Sequence, residues 1–214
     1  MPPDFSGLSD AEIARRLELA RQTPGALDYP EREYIQELAP RPLRPAAVLV
    51  PLLIQDNDWH ILYTRRVDSL PEHSGQVAFP GGRVDPGDPT PEAAALREAD
   101  EEIGLPPAGV RVLGRLGEYP TITAYCVTPI VAAIDWPFTP RLQPTEVSRL
   151  FTIPLTWLAR PENFSERRRQ VPNPHAPIQV IYYEPYDGEI LWGASARITQ
   201  ALLSVLQYSL PATE

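Results

Sequence analysis

Residues 81–105 read GGRVDPGDPTPEAAALREADEEIGL: a glycine pair, a loop of turn-formers and acids, then a short helix dense in carboxylates. Thr90 is a natural N-cap, Pro91 suits the first helical position, and Glu92 falls in the positively polarised first turn. Gly104 can take the left-handed conformation at the C-cap, and Pro106 stops continuation, so the helix is expected over 90–103. Upstream, the apolar segment QVAF reads as a short strand that delivers the chain to Pro80-Gly81-Gly82. Two residues without a Cβ let backbone approach a ligand or metal closely there. The unit is strand, loop, helix.

Within the helix, Glu98, Glu101 and Glu102 stand at i, i+3 and i+4 and emerge on one face. Like charges at this spacing cost roughly 0.2–0.5 kcal/mol per pair in an isolated helix. Arg97 reaches Glu101 at i, i+4, but one arginine does not neutralise the cluster. A divalent cation does, and hard oxygen ligands suit magnesium, manganese or calcium, with magnesium keeping waters that a phosphate can displace. The competing reading is a solvated acidic helix face.

The whole chain bounds what this unit can serve. At 214 residues it is one domain, or one with extensions, and its 43% hydrophobic and 22% charged residues are those of a folded globular protein. A formal charge of −9 argues against nucleic-acid binding, while a local basic pocket could still hold a small phosphorylated ligand. No run approaches the roughly 18 apolar residues of a membrane span. The opening MPPDFSGLSD lacks a basic region followed by an apolar one, and a cytoplasmic location is expected. The single cysteine, Cys126, rules out an intramolecular disulfide and reads as a buried strand residue.

In chain order, residues 8–22 read as an amphipathic helix capped at Ser9, with Ile13, Leu17 and Ala20 on its apolar side. Residues 23–46 are rich in proline and charge, and Pro40, Pro42 and Pro45 demand an extended connector. The expected division is an N-terminal helical extension over 1–45 and a core domain over 46–214. AAVLVPLLI (46–54) is a buried strand, with HILYTRR (60–66) its hairpin partner, in which His60 is a strand residue. Residues 110–134 supply two or three strands. Residues 160–177 read as an exposed irregular loop or hairpin, with Arg167–Arg169 a solvated face or a phosphate contact and His175 solvent-exposed. Residues 178–193 suit a hairpin about Tyr186-Asp187-Gly188, with Trp192 in the core. A closing helix packs through Ile198, Leu202, Leu203 and Leu206.

These residues resemble the Nudix hydrolases, whose signature reads G, five residues, E, seven residues, then R-E-U-x-E-E-x-G-U with U aliphatic. Gly82 is followed after five residues by Asp88, and Arg97-Glu98-Ala99-Asp100-Glu101-Glu102-Ile103-Gly104-Leu105 matches the second half, with alanine at the first U. Asp88 stands where glutamate is usual, and eight residues rather than seven separate it from Arg97. The coenzyme A pyrophosphatase branch has an upstream motif LLTxR(S/A), three residues, R, three residues, G, three residues, FPGG. Leu62, Thr64, Arg66, Gly75 and Phe79-Pro80-Gly81-Gly82 stand in that register, with Val67 and Pro71 as departures.

The resemblance implies an α+β fold, an α/β/α sandwich around a mixed central sheet with the N-terminal helical extension added to it. It implies metal-assisted hydrolysis of a small nucleotide substrate, in this branch coenzyme A cleaved to 3′,5′-ADP and a phosphopantetheine. Glu98, Glu101, Glu102 and the Gly82 carbonyl are expected to hold Mg2+ or Mn2+, and Arg97 to orient the carboxylates. Arg66, Gly81, Gly82 and Arg83 are expected at the substrate. Glu146, in PTEVSRLFTIPL, is expected as an acid beside the metal, against the alternative of a solvent-facing loop glutamate. ADP-ribose, dinucleotides or nucleoside triphosphates remain alternative substrates, and a non-catalytic nucleotide-sensing module is the alternative of another class. A homodimer stays open.

Overall fold

The computed structural model describes residues 4–39, 42–69, 74–170 and 177–207, so His175, Pro40 and Pro71 lie outside the described residues. The elements in order are α1 (Asp10–Gln22), α2 (Arg32–Leu38), β1 (Arg44–Gln55), β2 (Asp58–Arg66), β3 (Val77–Ala78), β4 (Gly81–Arg83) and α3 (Pro91–Ile103). There follow β5 (Val110–Arg115), β6 (Tyr119–Pro120), β7 (Tyr125–Ile134), β8 (Val147–Pro154), α4 (Leu155–Leu158), β9 (Phe164–Arg169), β10 (Ile178–Tyr183) and α5 (Gly193–Gln207).

β1 is the spine. It pairs with β2 and β4 antiparallel and with β7 in parallel, which makes the sheet mixed, in the order β3-β2-β1-β7-β5 with β8 joined to β2 and β6 to β7. Asp56 and Asn57, both at positive φ, form the two-residue turn from β1 to β2, the conformation a tight hairpin requires and one these residue types tolerate. Side chains of a strand point alternately to opposite faces, and β1 divides its apolar residues accordingly. Ala47, Leu49 and Leu53 pack with Ala94, Ala95, Ala99 and Ile103 of α3. Ala46, Val50 and Leu52 face the other layer, where Ile13 and Leu17 of α1 meet Ile198, Leu202 and Leu206 of α5. The fold is thus α+β, a mixed sheet with helices on both faces.

Both expected terminal helices form. Ser9 caps α1 by accepting from the Glu12 N–H, and Ile13 and Leu17 are buried. Leu17 packs at the strand glycine Gly114, where a Cβ would fall 3.1 Å from the Leu17 Cβ. The buried face of α5 contains Ile198, Leu202, Leu203 and Leu206.

Several expectations need correction. No helix is expected just ahead of the prolines, yet α2 forms there with Ile35 buried, and the strand expected from residue 46 already begins at Arg44, inside the connector. Of the two readings of residues 160–177, the hairpin one holds for 164–169, which form a strand paired antiparallel and in register with β10. The hairpin about Tyr186-Asp187-Gly188 does form, as antiparallel bridges Tyr186–Glu189 and Tyr182–Trp192 with the Tyr183 N–H donating to the Leu191 carbonyl. Trp192 is not in the core; it is half-buried and stacked on Tyr182 with ring centroids 5.4 Å apart. Cys126 is also only half-buried, its thiol directed at Glu118.

Leu17→Ala is expected to destabilise the protein by about 2–5 kcal/mol, the usual cost of emptying a fully buried leucine site. Equilibrium urea unfolding measures this, and a loss below about 0.5 kcal/mol, ordinary for a surface site, would mean that α1 is not part of the folded unit.

Candidate functional site

The 81–105 stretch folds as its local chemistry demands. Thr90 adopts extended geometry and its hydroxyl accepts from the Ala93 N–H, and Gly104 closes α3 in the left-handed conformation with φ of 68°. β4 brings the glycines against both β1 and α3. A Cβ on Gly81 would lie 2.4 Å from the Ala47 carbonyl oxygen, and one on Gly82 would lie 2.6 Å from the Glu98 carboxyl group. At Gly81 the neighbours are β1 main-chain atoms, so glycine is required sterically there, whereas at Gly82 a side chain would displace the Glu98 carboxylate, which rests directly on main chain.

Glu102 is the most buried acid of the cluster, with 4% of its surface exposed. The Gly81 N–H donates to its Oε2 at 3.2 Å. Burial, reinforced by repulsion from Glu146 and Glu98 and opposed by the Gly81 hydrogen bond and by Arg66, pushes its pKa up to about 8. Burial also raises the pKa of Glu98, with repulsion from Glu101 and Glu146 adding to it and Arg97 opposing it. Glu146, half-buried at the foot of β8, thus shares the electrostatic environment of Glu98 and Glu102 and is not a purely solvent-facing loop residue.

A β-bulge places Glu146 and Arg66 together. The β2–β8 register slips between Arg65 and Arg66, the Arg66 N–H donates to Gln76, and the Val67 N–H donates to the Glu146 carbonyl at 2.9 Å. Bulges re-aim side chains in this way at strand ends. The Arg66 Nε is buried without a hydrogen-bond partner. Few buried donors stay unpaired in folded proteins, so this one stands out.

Arg97 acts as a fork. Its Nε and Nη2 donate to the two oxygens of Asp88 at 3.1 and 3.0 Å, its Nη1 lies 3.1 Å from Glu101 and 3.0 Å from Glu98, and Nη2 also donates to the Arg83 carbonyl. Asp88, whose carboxyl is held below its ordinary range by Arg97 and by the Asp85 N–H, ties the loop to the helix. Asp88 thus acts as a structural anchor, with the extra residue absorbed after it, between Asp88 and Arg97. Glu101 is largely exposed and drawn to Arg97. As the side chains stand, no three His, Cys, Asp or Glu residues among the described residues converge to hold a metal ion. The backbone cradle at Gly82, the buried Glu102 and the facing Glu146 nevertheless form the oxygen-rich, repulsive surroundings that a hard cation relieves.

A family model described as the NUDIX domain matches residues 43–174. The chain belongs to the Nudix family. Proteins named uncharacterized Nudix hydrolase NudL from Yersinia pestis and Yersinia pseudotuberculosis are each 37% identical over 162 residues, covering 74% of this chain and 78% of theirs. Among solved structures, an Ap4A hydrolase of C. elegans covers 53% of this chain and 81% of its own at 23% identity with a TM-score of 0.45. RenU, a Nudix hydrolase from M. smegmatis, covers 52% and 71% at 25% identity with a TM-score of 0.45. Nudix hydrolases generally use divalent metal ions and act on small nucleotide substrates, and no helix among the described residues of this Nudix chain is long and apolar enough to cross a membrane.

Of the residues expected at the site, the structure brings Gly81 to Glu102 and Gly82 to Glu98, places Arg66 and Glu146 where they act on the Glu102 charge, and links Arg97, Glu101 and the Arg83 carbonyl through the fork. Sequence reading did not single out Arg44 and Tyr125, which border the same end of the sheet through the parallel pairing of β1 with β7. Their separation along the chain leaves no local pattern to find.

The raised pKa of Glu102 has a signed consequence for the metal-free protein. Between the ordinary glutamate value of 4.5 and about 8, the folded chain keeps a proton that the unfolded chain releases. Stability therefore falls as pH rises through that window. Urea unfolding in chelator is expected to show this slope, and Glu102→Gln to flatten it; an unaltered slope would place its origin elsewhere.

Proposed function

We propose that this Nudix protein is a cytoplasmic, divalent-metal-dependent pyrophosphohydrolase of coenzyme A and its derivatives, releasing 3′,5′-ADP and a phosphopantetheine. The observation that carries the reading is the way the upstream motif folds onto the acidic helix. Thr64 donates to the Ala78 carbonyl at 3.1 Å, Gly75 turns the chain with φ of 64°, and Pro80 accepts from the Leu49 N–H. β4 thereby sets Gly81 on Glu102 and Gly82 on Glu98, with the Arg66 charge opposing the raised pKa of Glu102.

In the proposed mechanism, Glu98, Glu101, Glu102 and the Gly82 carbonyl hold Mg2+ or Mn2+, with Glu146 beside them. Bound there, the cation supplies charge neutralisation at the diphosphate and a more acidic water. Arg97 holds the carboxylates in place, since its charge-assisted bonds to Asp88, Glu98 and Glu101 fix one face of α3. The Arg66 guanidinium donates to a phosphate oxygen. Water attacks one phosphorus, forming a P–O bond as the bridging P–O bond breaks. Glu146 accepts the proton of that water, and the leaving phosphate departs as an anion within reach of Arg66.

With Mg2+ or Mn2+, the purified protein is expected to cleave coenzyme A with higher kcat/KM than ADP-ribose, diadenosine polyphosphates or nucleoside triphosphates. A preference for ADP-ribose would overturn the substrate assignment. Glu102→Gln is expected to lower kcat by about 100-fold or more while the protein stays folded, in line with losing a charge stabiliser at the reacting centre. Wild-type turnover in that variant would mean the metal site lies elsewhere, and no turnover of any substrate by the wild type would favour a nucleotide-sensing module.

A further inference from the structure

Arg44 and Arg83 share one aromatic ring. The Arg44 guanidinium carbon lies 4.1 Å from the centroid of the Tyr125 ring, that of Arg83 lies 5.8 Å away, and the Arg83 Nε donates to the Tyr125 hydroxyl at 3.0 Å. The ring is held from below. Thr121 accepts the Tyr125 N–H and donates its own N–H to the Tyr125 carbonyl, and the Arg44 N–H donates to the Ala124 carbonyl. Arg44 and Tyr125 are direct partners in the parallel β1–β7 ladder.

Neither arginine forms an ion pair among the described residues, although the chain carries a net charge of −9. Arg97, Arg111, Arg115, Arg149 and Arg197 each have a carboxylate within 4.0 Å. One guanidinium over a tyrosine is an ordinary surface contact. Two on the same ring repel each other, and an anion between them removes that repulsion. The arrangement suits a phosphate dianion, which guanidinium forks match in geometry and charge.

The position of the pair says which phosphate. Gly82 directs its α-carbon hydrogens at Glu98 on the α3 side of the sheet. Successive strand residues point to opposite faces, so Arg83 emerges on the side away from the acids. Tyr125 packs with that same opposite layer. A phosphate bound between Arg44 and Arg83 is thus separated from the carboxylates by the thickness of β4, while remaining one residue along from the glycine cradle.

Resting on the nucleotide pyrophosphohydrolase reading above, we propose that Arg44 and Arg83, arrayed on Tyr125, form a subsite for a phosphomonoester that is not hydrolysed. The subsite selects nucleotides carrying a phosphate in addition to the scissile diphosphate. It separates coenzyme A, which has a ribose 3′-phosphate, from ADP-ribose and dinucleotides that lack one.

The test uses the full chain in chelator and reads binding alone, so that it does not depend on turnover. Calorimetric titration with adenosine 3′,5′-bisphosphate and with adenosine 5′-monophosphate is expected to show about tenfold tighter binding of the bisphosphate, the scale of one charge-assisted contact. In Arg44→Gln that preference is expected to fall to within about twofold, and Tyr125→Phe, which frees Arg83, to reduce it part-way. Equal binding of the two nucleotides by wild type, no measurable binding of the bisphosphate, or a full preference retained in Arg44→Gln would overturn the subsite. Circular dichroism confirms that each variant is folded. Failure to cleave coenzyme A would sink the substrate assignment while leaving this binding preference to stand or fall by itself.

Discussion

A carboxylate buried against a glycine turn is the constraint around which the molecule is arranged. Glu102 keeps a single backbone donor, from Gly81, at a place where repulsion from Glu98 and Glu146 adds to the cost of burial. Such an arrangement persists only if surrounding packing enforces it. Here the enforcement comes from α3, whose alanines and Ile103 lie flush on β1, and from β4, whose glycines have no side chain to keep the helix away. Removing either the small helix residues or the glycines would open the gap that the acids need closed.

Arg97 distributes the charge that this packing concentrates. A lysine ammonium is a compact point charge, whereas the guanidinium fork spans Asp88, Glu98, Glu101 and the Arg83 carbonyl at once. In holding Glu98 and Glu101 it also keeps the acids from converging. The proposed cation would therefore compete with Arg97 for carboxylate oxygens, and the fork limits how far the loop of residues 84–89 can move while that happens. Arg66, with an unpaired donor, stands on the opposite rim.

Much of this was legible locally. The start and stop of α3, the strand spacing of residues 46–66 and the cap at Ser9 are decided by neighbours within a few positions, and the structure has them where capping and periodicity place them. The Glu98–Glu101–Glu102 face followed from helical spacing alone. What escaped depends on distant pairing. The short helix α2 is anchored by one buried isoleucine beneath other elements, a contact no local pattern announces. Trp192 looked like core because it is large and apolar, yet Tyr182 and Arg169 meet it near the surface. Asp88 looked like a degraded signature position, and its bidentate bond to Arg97 shows why an aspartate one residue further away still serves.

In the proposed mechanism Glu98 and Glu102, pressed against Gly82 and Gly81, bind a divalent cation. Titration of the wild-type protein with Mn2+, followed by the loss of free-ion paramagnetic resonance signal, reads that binding directly. Saturable binding that weakens about tenfold or more in Glu102→Gln, as expected when a charged metal ligand is replaced by a neutral one, is the predicted result. Equal Mn2+ affinity in wild type and variant would contradict it.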